Sequence, residues 1–102
     1  MEFSGFDWDK GNRKKCQGHG VSLAEIESLF RGIVRVAPDL KHSVVEERFK
    51  AIGQTEAGRH VLIVFTLRRR GEDFFIRPVS ARYMHRKEVA HYEKETADAD
   101  KR

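Results

Sequence analysis

The stretch HVLIVFTL at residues 60–67 decides the fold, because it is the longest nearly continuous apolar run in the chain. A run this rich in branched and aromatic side chains favours a central strand that is covered on both faces. We therefore predict the central strand of a sheet over residues 60–68. Turn-forming residues flank this strand at residues 55–59 and 71–73. Connections this short imply an antiparallel meander.

Further strands are predicted on both sides of this centre. A period-two pattern indicates strands over residues 47–54 and 74–79. A short strand over residues 33–36 comes earlier, and residues 40–46 read as a polar loop that is long enough to carry function. With an extended arm over residues 2–8, these segments predict an antiparallel sheet of about four strands.

Two helices are predicted before the sheet. Asp9 can cap a first helix that runs to about Gln17. Ser22 and Glu25 form a capping box, in which each side chain bonds the backbone of the other residue. The box opens an amphipathic helix whose apolar residues recur every three to four positions, namely Leu23, Ile26, Leu29, Phe30 and Ile33.

A third helix is predicted near the C-terminus. Ser80 would cap a helix from about Arg82 to Lys94. Residues 96–102 are mostly charged or small, so we expect a frayed tail after a single domain over residues 1–95. The predicted fold class is α+β, with helices on one face of the sheet and the other face partly open.

The composition excludes several classes of protein. The chain has 102 residues and one cysteine, Cys16, which cannot form an internal disulfide. No signal-peptide pattern is present, which favours a cytoplasmic protein, and no run reaches the roughly 20 apolar residues of a membrane helix. Cys16 and His19 have no second ligand pair, and a Gly-rich phosphate loop is missing. We predict neither a bound metal nor a cofactor.

The charge is concentrated in one part of the chain. Lys and Arg number 20 against 16 Asp and Glu, a formal net charge of +4. Residues 59–87 contain eight basic residues, seven of them arginine, and two acidic ones. The planar guanidinium group pairs bidentately with phosphate, so a polyanion, most simply a nucleic acid, is the leading ligand class. The alternative is an arginine-rich face that contacts only solvent.

Several short motifs occur in an order and spacing that resemble the BrnT toxins of type II toxin–antitoxin systems. The resemblance covers about residues 3–95. The motifs are Phe6-Asp7-Trp8-Asp9, Gly11-Asn12-Arg13, His19-Gly20-Val21-Ser22, Glu46-Glu47-Arg48-Phe49, Ile52-Gly53, Phe65-Thr66-Leu67-Arg68 and Arg77-Pro78-Val79-Ser80-Ala81-Arg82-Tyr83-Met84.

This resemblance implies a RelE-like fold and an endoribonuclease that arrests translation and growth by cutting RNA. It also implies a cognate BrnA-type antitoxin that binds DNA, a heterotetramer built around an antitoxin dimer, and contact with operator DNA only through the antitoxin. The chain departs from the family at Gly18, where members usually carry lysine. We expect this change to weaken RNA binding or activity.

Metal-independent RNA cleavage needs a base for the 2′-hydroxyl, a cation for the pentavalent phosphorane and a donor for the leaving 5′-oxygen. Arg82 and Arg86, one turn apart in the predicted last helix, could bind one phosphate, or could be a solvated pair. Arg48 alternates with Phe49 and would face away from the core. A salt bridge to its glutamate neighbours is an equal alternative for Arg48.

Three residues could transfer protons, and the sequence leaves the choice among them open. Glu47 lies beside Arg48, while His42 and His85 carry imidazole, the side chain best suited to proton transfer near neutral pH. A non-catalytic RNA- or DNA-binding module that uses residues 59–87 is an alternative function. A protein whose basic face accepts an acidic partner helix is another. Further RNA contacts are predicted at four basic residues, Arg68, Arg69, Arg70 and Lys87.

Overall fold

The computed structural model describes residues 2–42 and 46–100, and within them it forms one sheet with three helices. This confirms the α+β class. A short 3₁₀ helix, Leu40–His42, lies between the second and third strands. The elements in chain order are β1 (Gly5–Phe6), α1 (Lys10–Gln17), α2 (Leu23–Arg31), β2 (Arg35–Pro38), β3 (Phe49–Gln54), β4 (His60–Arg70), β5 (Asp73–Tyr83) and α3 (Arg86–Asp100).

The strand order across the sheet is β1-β5-β4-β3-β2, which places β4 at the centre as the sequence predicts. Strands β2 to β5 pair antiparallel. The extended N-terminal arm adds a fifth strand, because β1 pairs parallel with β5. Ser4 N–H donates to the Phe74 carbonyl at 2.7 Å, and Asp7 N–H donates to the Ile76 carbonyl at 2.8 Å. The described sheet is therefore mixed rather than purely antiparallel.

The core lies between the sheet and the first two helices. Alternate β4 residues Val61, Ile63 and Phe65 are fully buried on this face. Phe30 of α2 packs edge-on against Phe65 with ring centroids 5.0 Å apart. Gly53 of β3 permits this close approach, since a Cβ there would lie 2.9 Å from Leu29 Cδ2 of α2.

The predicted helix starts are confirmed. Asp9 caps α1 and accepts from the Asn12 N–H at 2.9 Å, while Ser22 caps α2 in the predicted box with Glu25. Asn12 also fixes α1 to the sheet, because its side-chain amide donates to the Pro78 carbonyl at 2.9 Å. Local capping chemistry therefore sets the N-terminus of both helices.

The prediction for the last helix was wrong at its start. Strand β5 continues to Tyr83, so Ser80 and Arg82 belong to the strand and Ser80 caps nothing. The physical reason is register, since Ser80 and Arg82 pair with Val64 and Leu62 of the central strand. Helix α3 begins at Arg86 and continues to Asp100, through most of the segment predicted to fray.

Two strand boundaries near the second edge also differ from the prediction. Strand β2 covers Arg35–Pro38 rather than residues 33–36, and it leaves Ile33 94% exposed instead of in the core. Strand β3 begins at Phe49, so Arg48 lies just before it rather than within it. The predicted loop, residues 40–46, falls partly outside the described residues. In the described part of the chain, no helix is long and apolar enough to cross a membrane.

Candidate nucleic-acid interface

The sheet has a second face, opposite the face that packs on α1 and α2. Odd-numbered β4 residues from Val61 to Phe65 point into the core, so even-numbered residues point to the second face. These include Leu62, Thr66 and Arg68. Most of them are only half-buried, so β4 is central but is not fully covered on both faces. We call this second surface the open face.

Basic side chains from three strands meet on the open face. Lys50 of β3 pairs with Val64, and Arg77 of β5 pairs with Thr66, so both share the open face with Arg68. Arg48 lies two residues before Lys50, and its carbonyl accepts from Asp39 N–H at 2.8 Å, which continues the ladder. The start of β3 therefore places Arg48 in the same row as Thr66 and Arg77.

Carboxylates hold the arginines at this end of the open face. Arg68 forms ion pairs with Glu46 and Asp7. Arg70 lies 3.3 Å from Asp7 Oδ1, and Arg77 donates to Asp9 Oδ2 at 2.7 Å. The pKa of Asp9 is lowered, first by the Asn12 backbone N–H and then by Arg77. Each guanidinium is thus held by carboxylate oxygens, which are anionic acceptors like the oxygens of a phosphate.

A second basic group lies where β5 ends and α3 begins. Arg82 binds Glu88 bidentately, with N···O distances of 2.7 and 2.8 Å. The same Oε1 of Glu88 accepts the His85 backbone N–H at 2.9 Å, which caps the start of α3. The Arg82 hydrogen bond, followed by that of His85, lowers the pKa of Glu88 to about 2. The same carboxylate raises the pKa of Arg82.

The two basic groups lie on one face but at opposite ends of β4. Arg82 pairs with Leu62, four residues from Thr66 and six from Arg68. At about 3.3 Å per residue, these separations are roughly 13 and 20 Å along the strand. The structure therefore does not bring Arg48 and Arg82 to a single phosphate, although one extended polyanion could reach both.

Two groups of arginines that the sequence placed together are separated in the structure. Arg82 and Arg86 do not lie one turn apart on a helix, because Arg82 is in β5 and Arg86 is the first residue of α3. Arg69 points to the opposite face from Arg68 and Arg70. Its guanidinium donates to the Gly71 carbonyl at 2.9 Å and lies over the Phe74 ring.

The other predicted site residues lie near the two ends of the open face. Glu47 is exposed just before β3, next to Arg48. His85, Arg86 and Lys87 are exposed at the start of α3, within a few residues of the Arg82 contact. His42 ends the 3₁₀ helix, and its side chain lies outside the described residues.

Three charged residues of the open face were not predicted from the sequence. Asp7 is distant in sequence from Arg70, and Glu88 lies six residues after Arg82 in what was predicted to be the same helix, so only the folded structure reveals these two partners. Lys50 could have been found, because it lies two residues after Arg48 in an alternating strand. Within residues 2–42 and 46–100, no group of three or more metal-binding side chains is found.

Tyr83 belongs to the helix side of the sheet rather than to the open face. It pairs with Val61, and its hydroxyl donates to the Glu25 carboxylate at 3.0 Å. Arg59 lies flat over the Tyr83 ring, 3.6 Å from its centroid. These contacts connect β5 to the start of α2, so Tyr83 packs the sheet against this helix.

Fold and site together define a small α+β protein that presents a row of arginine and lysine side chains, held by carboxylates, on one face of its sheet. Residues 8–88 match the family model for the ribonuclease toxin BrnT of type II toxin–antitoxin systems. The match covers most of the chain, and the chain belongs to the BrnT family of ribonuclease toxins. A search of curated proteins found no match. Membership implies RNA as the substrate and an antitoxin as the partner.

Proposed function

We propose that this toxin is a metal-independent endoribonuclease whose RNA substrate lies along the open face. The observation that carries the proposal is the row of basic side chains on one sheet face, Lys50, Arg68, Arg77 and Arg82, each of which already contacts a carboxylate as it would contact a phosphate. This surface extends roughly 20 Å along β4, longer than one phosphate contact requires. A single RNA strand would therefore be held at several phosphates and cut at one of them.

The cutting site is proposed at the Arg82 end. Glu88 holds the Arg82 guanidinium through one N–H on each terminal nitrogen, and the three remaining N–H groups are the ones that would donate to phosphate. Such a cation would stabilise the pentavalent phosphorane as negative charge develops on it. Arg86 and Lys87 at the start of α3 add positive charge beside it.

Proton transfer is proposed to involve His85. Its backbone bonds the same Glu88 oxygen as Arg82, which holds the residue next to the proposed phosphate site. Imidazole can take the 2′-hydroxyl proton and return a proton to the 5′-oxygen near neutral pH. Glu47 and His42 lie near β3 rather than near Arg82, and with Arg48 they belong to the other end of the proposed RNA path.

The wider system is proposed from the family resemblance. We infer a BrnA-type antitoxin that forms a heterotetramer around its own dimer and carries all contact with operator DNA. We also infer a cytoplasmic location, where both RNA and antitoxin are found. Gly18 ends α1 in the right-handed helical region, with φ −61° and ψ −21°, so its backbone conformation does not require glycine, while a Cβ there would lie 3.3 Å from the Lys15 carbonyl oxygen.

Purified, antitoxin-free protein should cleave total RNA in the presence of EDTA and leave 2′,3′-cyclic phosphate ends. Arg82→Ala should lower the cleavage rate at least 100-fold, because the developing negative charge of the transition state then lacks the guanidinium beside it. Arg13→Ala is the matched control, since Arg13 is exposed on α1, and it should stay within about twofold of the wild type.

Loss of cleavage in EDTA would contradict metal independence. Intact RNA together with salt-dependent binding by folded protein would instead support the non-catalytic binding module. Equal cleavage by the Arg82→Ala variant and the wild type would remove Arg82 from the site. An end analysis that found 3′-hydroxyl products would contradict attack by the 2′-hydroxyl.

A further inference from the structure

Strand β2 forms one outer edge of the sheet. In the part of the chain that the structure describes, β2 pairs with β3 on one side and with no strand on the other. All four residues of β2 are exposed. An exposed strand edge offers unpaired backbone groups to another chain, and proteins usually protect it.

The register identifies which backbone groups point outward. Asp39 N–H bonds the Arg48 carbonyl, so the peptide groups of residue 39 face β3. By alternation, Ala37 and Arg35 also face β3, whereas Val36 directs its N–H and C=O to the free edge. Pro38 shares the outward direction but has no N–H to donate. Within β2, the outward donor is therefore the Val36 N–H.

Apolar side chains follow the same edge. Ile33 is 94% exposed, Val36 39% and Leu40 84%. A single exposed apolar residue is ordinary, but three of them spaced along one open strand edge indicate a protein contact. One further large apolar side chain is exposed far from this edge, that of Phe74 at the start of β5, which is 42% exposed.

The exposed charged residues along this edge are basic, and one of them, Arg31, pairs with Glu27 of α2 at 3.7 Å. Arg31, Arg35 and Lys41 are exposed and basic. The acidic residue among them, Asp39, is 3% exposed and faces Lys50 at 4.0 Å. A segment that fits this edge would therefore combine apolar side chains with acidic ones.

We propose that the antitoxin binds here by adding an extended, acidic and apolar segment as a further strand beside β2. The inference rests on the antitoxin partner that family membership implies. Strand addition uses backbone bonds for affinity and alternate side chains for specificity. Half of the added side chains would lie on the open face next to Arg35 and Ala37, the side chains of β2 that share the face with Lys50. Acidic groups there would compete with RNA for the basic surface.

The side-chain contacts are tested with the antitoxin encoded by the reading frame adjacent to the toxin gene. Ile33→Glu and Leu40→Glu should each weaken antitoxin binding at least tenfold in calorimetry, because each places a negative charge against an acidic partner. Phe74→Glu is the matched control at a distant exposed apolar residue and should change the dissociation constant less than twofold. Ile33 lies outside any regular element and Leu40 in a 3₁₀ helix, so both variants should fold.

The backbone contact is tested by proline substitution. Val36→Pro removes the outward N–H while keeping the β2–β3 ladder, so binding should weaken tenfold or more with a nearly unchanged melting temperature. Ala37→Pro removes an inward N–H and should lower the melting temperature, which checks the assigned register. In the complex, hydrogen exchange of the Val36 amide should slow at least tenfold.

The proposal fails if Ile33→Glu, Leu40→Glu and Val36→Pro all bind the antitoxin as tightly as the wild type. It also fails if the free toxin dimerises through these residues, since a second copy would then occupy the edge. Loss of RNA binding in the Ile33→Glu variant would show that RNA occupies the β2 edge, and this result would also overturn the proposal. Cleavage by the wild type is measured separately, so a wrong proposed function is distinguishable from a wrong docking surface.

Discussion

At the scale of single residues, Glu88 connects the sheet to the last helix. Its carboxylate binds Arg82 through both oxygens and caps α3 at the His85 N–H. The same contact orients the guanidinium that we propose for phosphate binding. Glu88 is therefore proposed as a positioning residue for Arg82, acting through geometry rather than through contact with RNA.

The pH dependence of stability tests this contact. The pKa of Glu88 is about 2 in the folded chain against 4.5 in its ordinary state, so ionised Glu88 stabilises the fold above pH 4.5. This contribution should fade as the pH falls from 4.5 towards 2. Glu88→Gln should therefore lower the melting temperature at pH 7 but by much less near pH 2.5.

Circular dichroism melts of wild type and Glu88→Gln at pH 7, 5 and 2.5 make the comparison. The control is Glu95→Gln, since Glu95 is exposed later on α3 and pairs with His91 on the same helix. A difference in melting temperature between wild type and Glu88→Gln that stays constant with pH would contradict the assigned ion pair.

At the scale of elements, α3 is anchored at its start and free along its second half. Glu88 fixes the first turn to Arg82, and Tyr92 packs edge-on against His60 with ring centroids 5.9 Å apart. Glu93 approaches His60 at 4.0 Å. After Glu93, the described side chains are almost all exposed. Tertiary contacts therefore stabilise the first half of α3 and contribute little to its second half.

Removal of residues 96–102 should leave the fold intact, because the remaining part of α3 keeps its contacts with β4 and β5. We expect the melting temperature to change by less than about 2 °C and RNA cleavage to be unchanged. Truncation after residue 87 is the contrasting variant, since it removes Glu88 and should lower the melting temperature clearly. Loss of folding on removal of residues 96–102 would contradict a domain that ends near residue 95.

At the scale of the whole molecule, one sheet provides three separate surfaces, which are its two faces and its free edge at β2. Helices α1 and α2 cover one face with the core, while the other presents the basic open face. The free edge at β2 adjoins the open face through β3. A formal net charge of +4 favours approach of RNA, and we propose that the register of the strands decides where it binds.

The salt dependence of RNA binding tests this division of the surface. Each phosphate contact on a single strand contributes a slope of about −0.7 in log K against log salt. Arg68→Ala should reduce the magnitude of the slope by about 0.7, because Arg68 lies on the open face. Arg69→Ala is the matched control from the next position of β4, on the opposite face, and should leave the slope unchanged.

Binding is measured by fluorescence anisotropy with a short labelled single-stranded RNA between 50 and 300 mM salt. The RNA carries 2′-O-methyl groups so that it cannot be cut. Equal slopes for the Arg68→Ala and Arg69→Ala variants would show that RNA does not distinguish the two faces of β4.

Much of the fold was predictable because its signals are local. The apolar run at residues 60–67 identified the central strand, and Asp9 and Ser22 identified two helix starts. These features depend on neighbours within four residues along the chain. The motifs from Phe6-Asp7-Trp8-Asp9 to Tyr83-Met84 likewise indicated the family that the match over residues 8–88 confirms.

The placement of the candidate site depends on contacts that sequence spacing does not contain. Pairing with β4 extends β5 to Tyr83, which moves Arg82 out of the predicted helix and away from Arg86. A long ladder outweighed the capping preference of Ser80, because each paired residue adds backbone bonds to the central strand. The sequence by itself determined the central strand, the first two helix starts and the family. Only the tertiary structure decided which arginines share a face and which carboxylates hold them, because strand register joins residues more than 60 positions apart, such as Asp7 and Arg70.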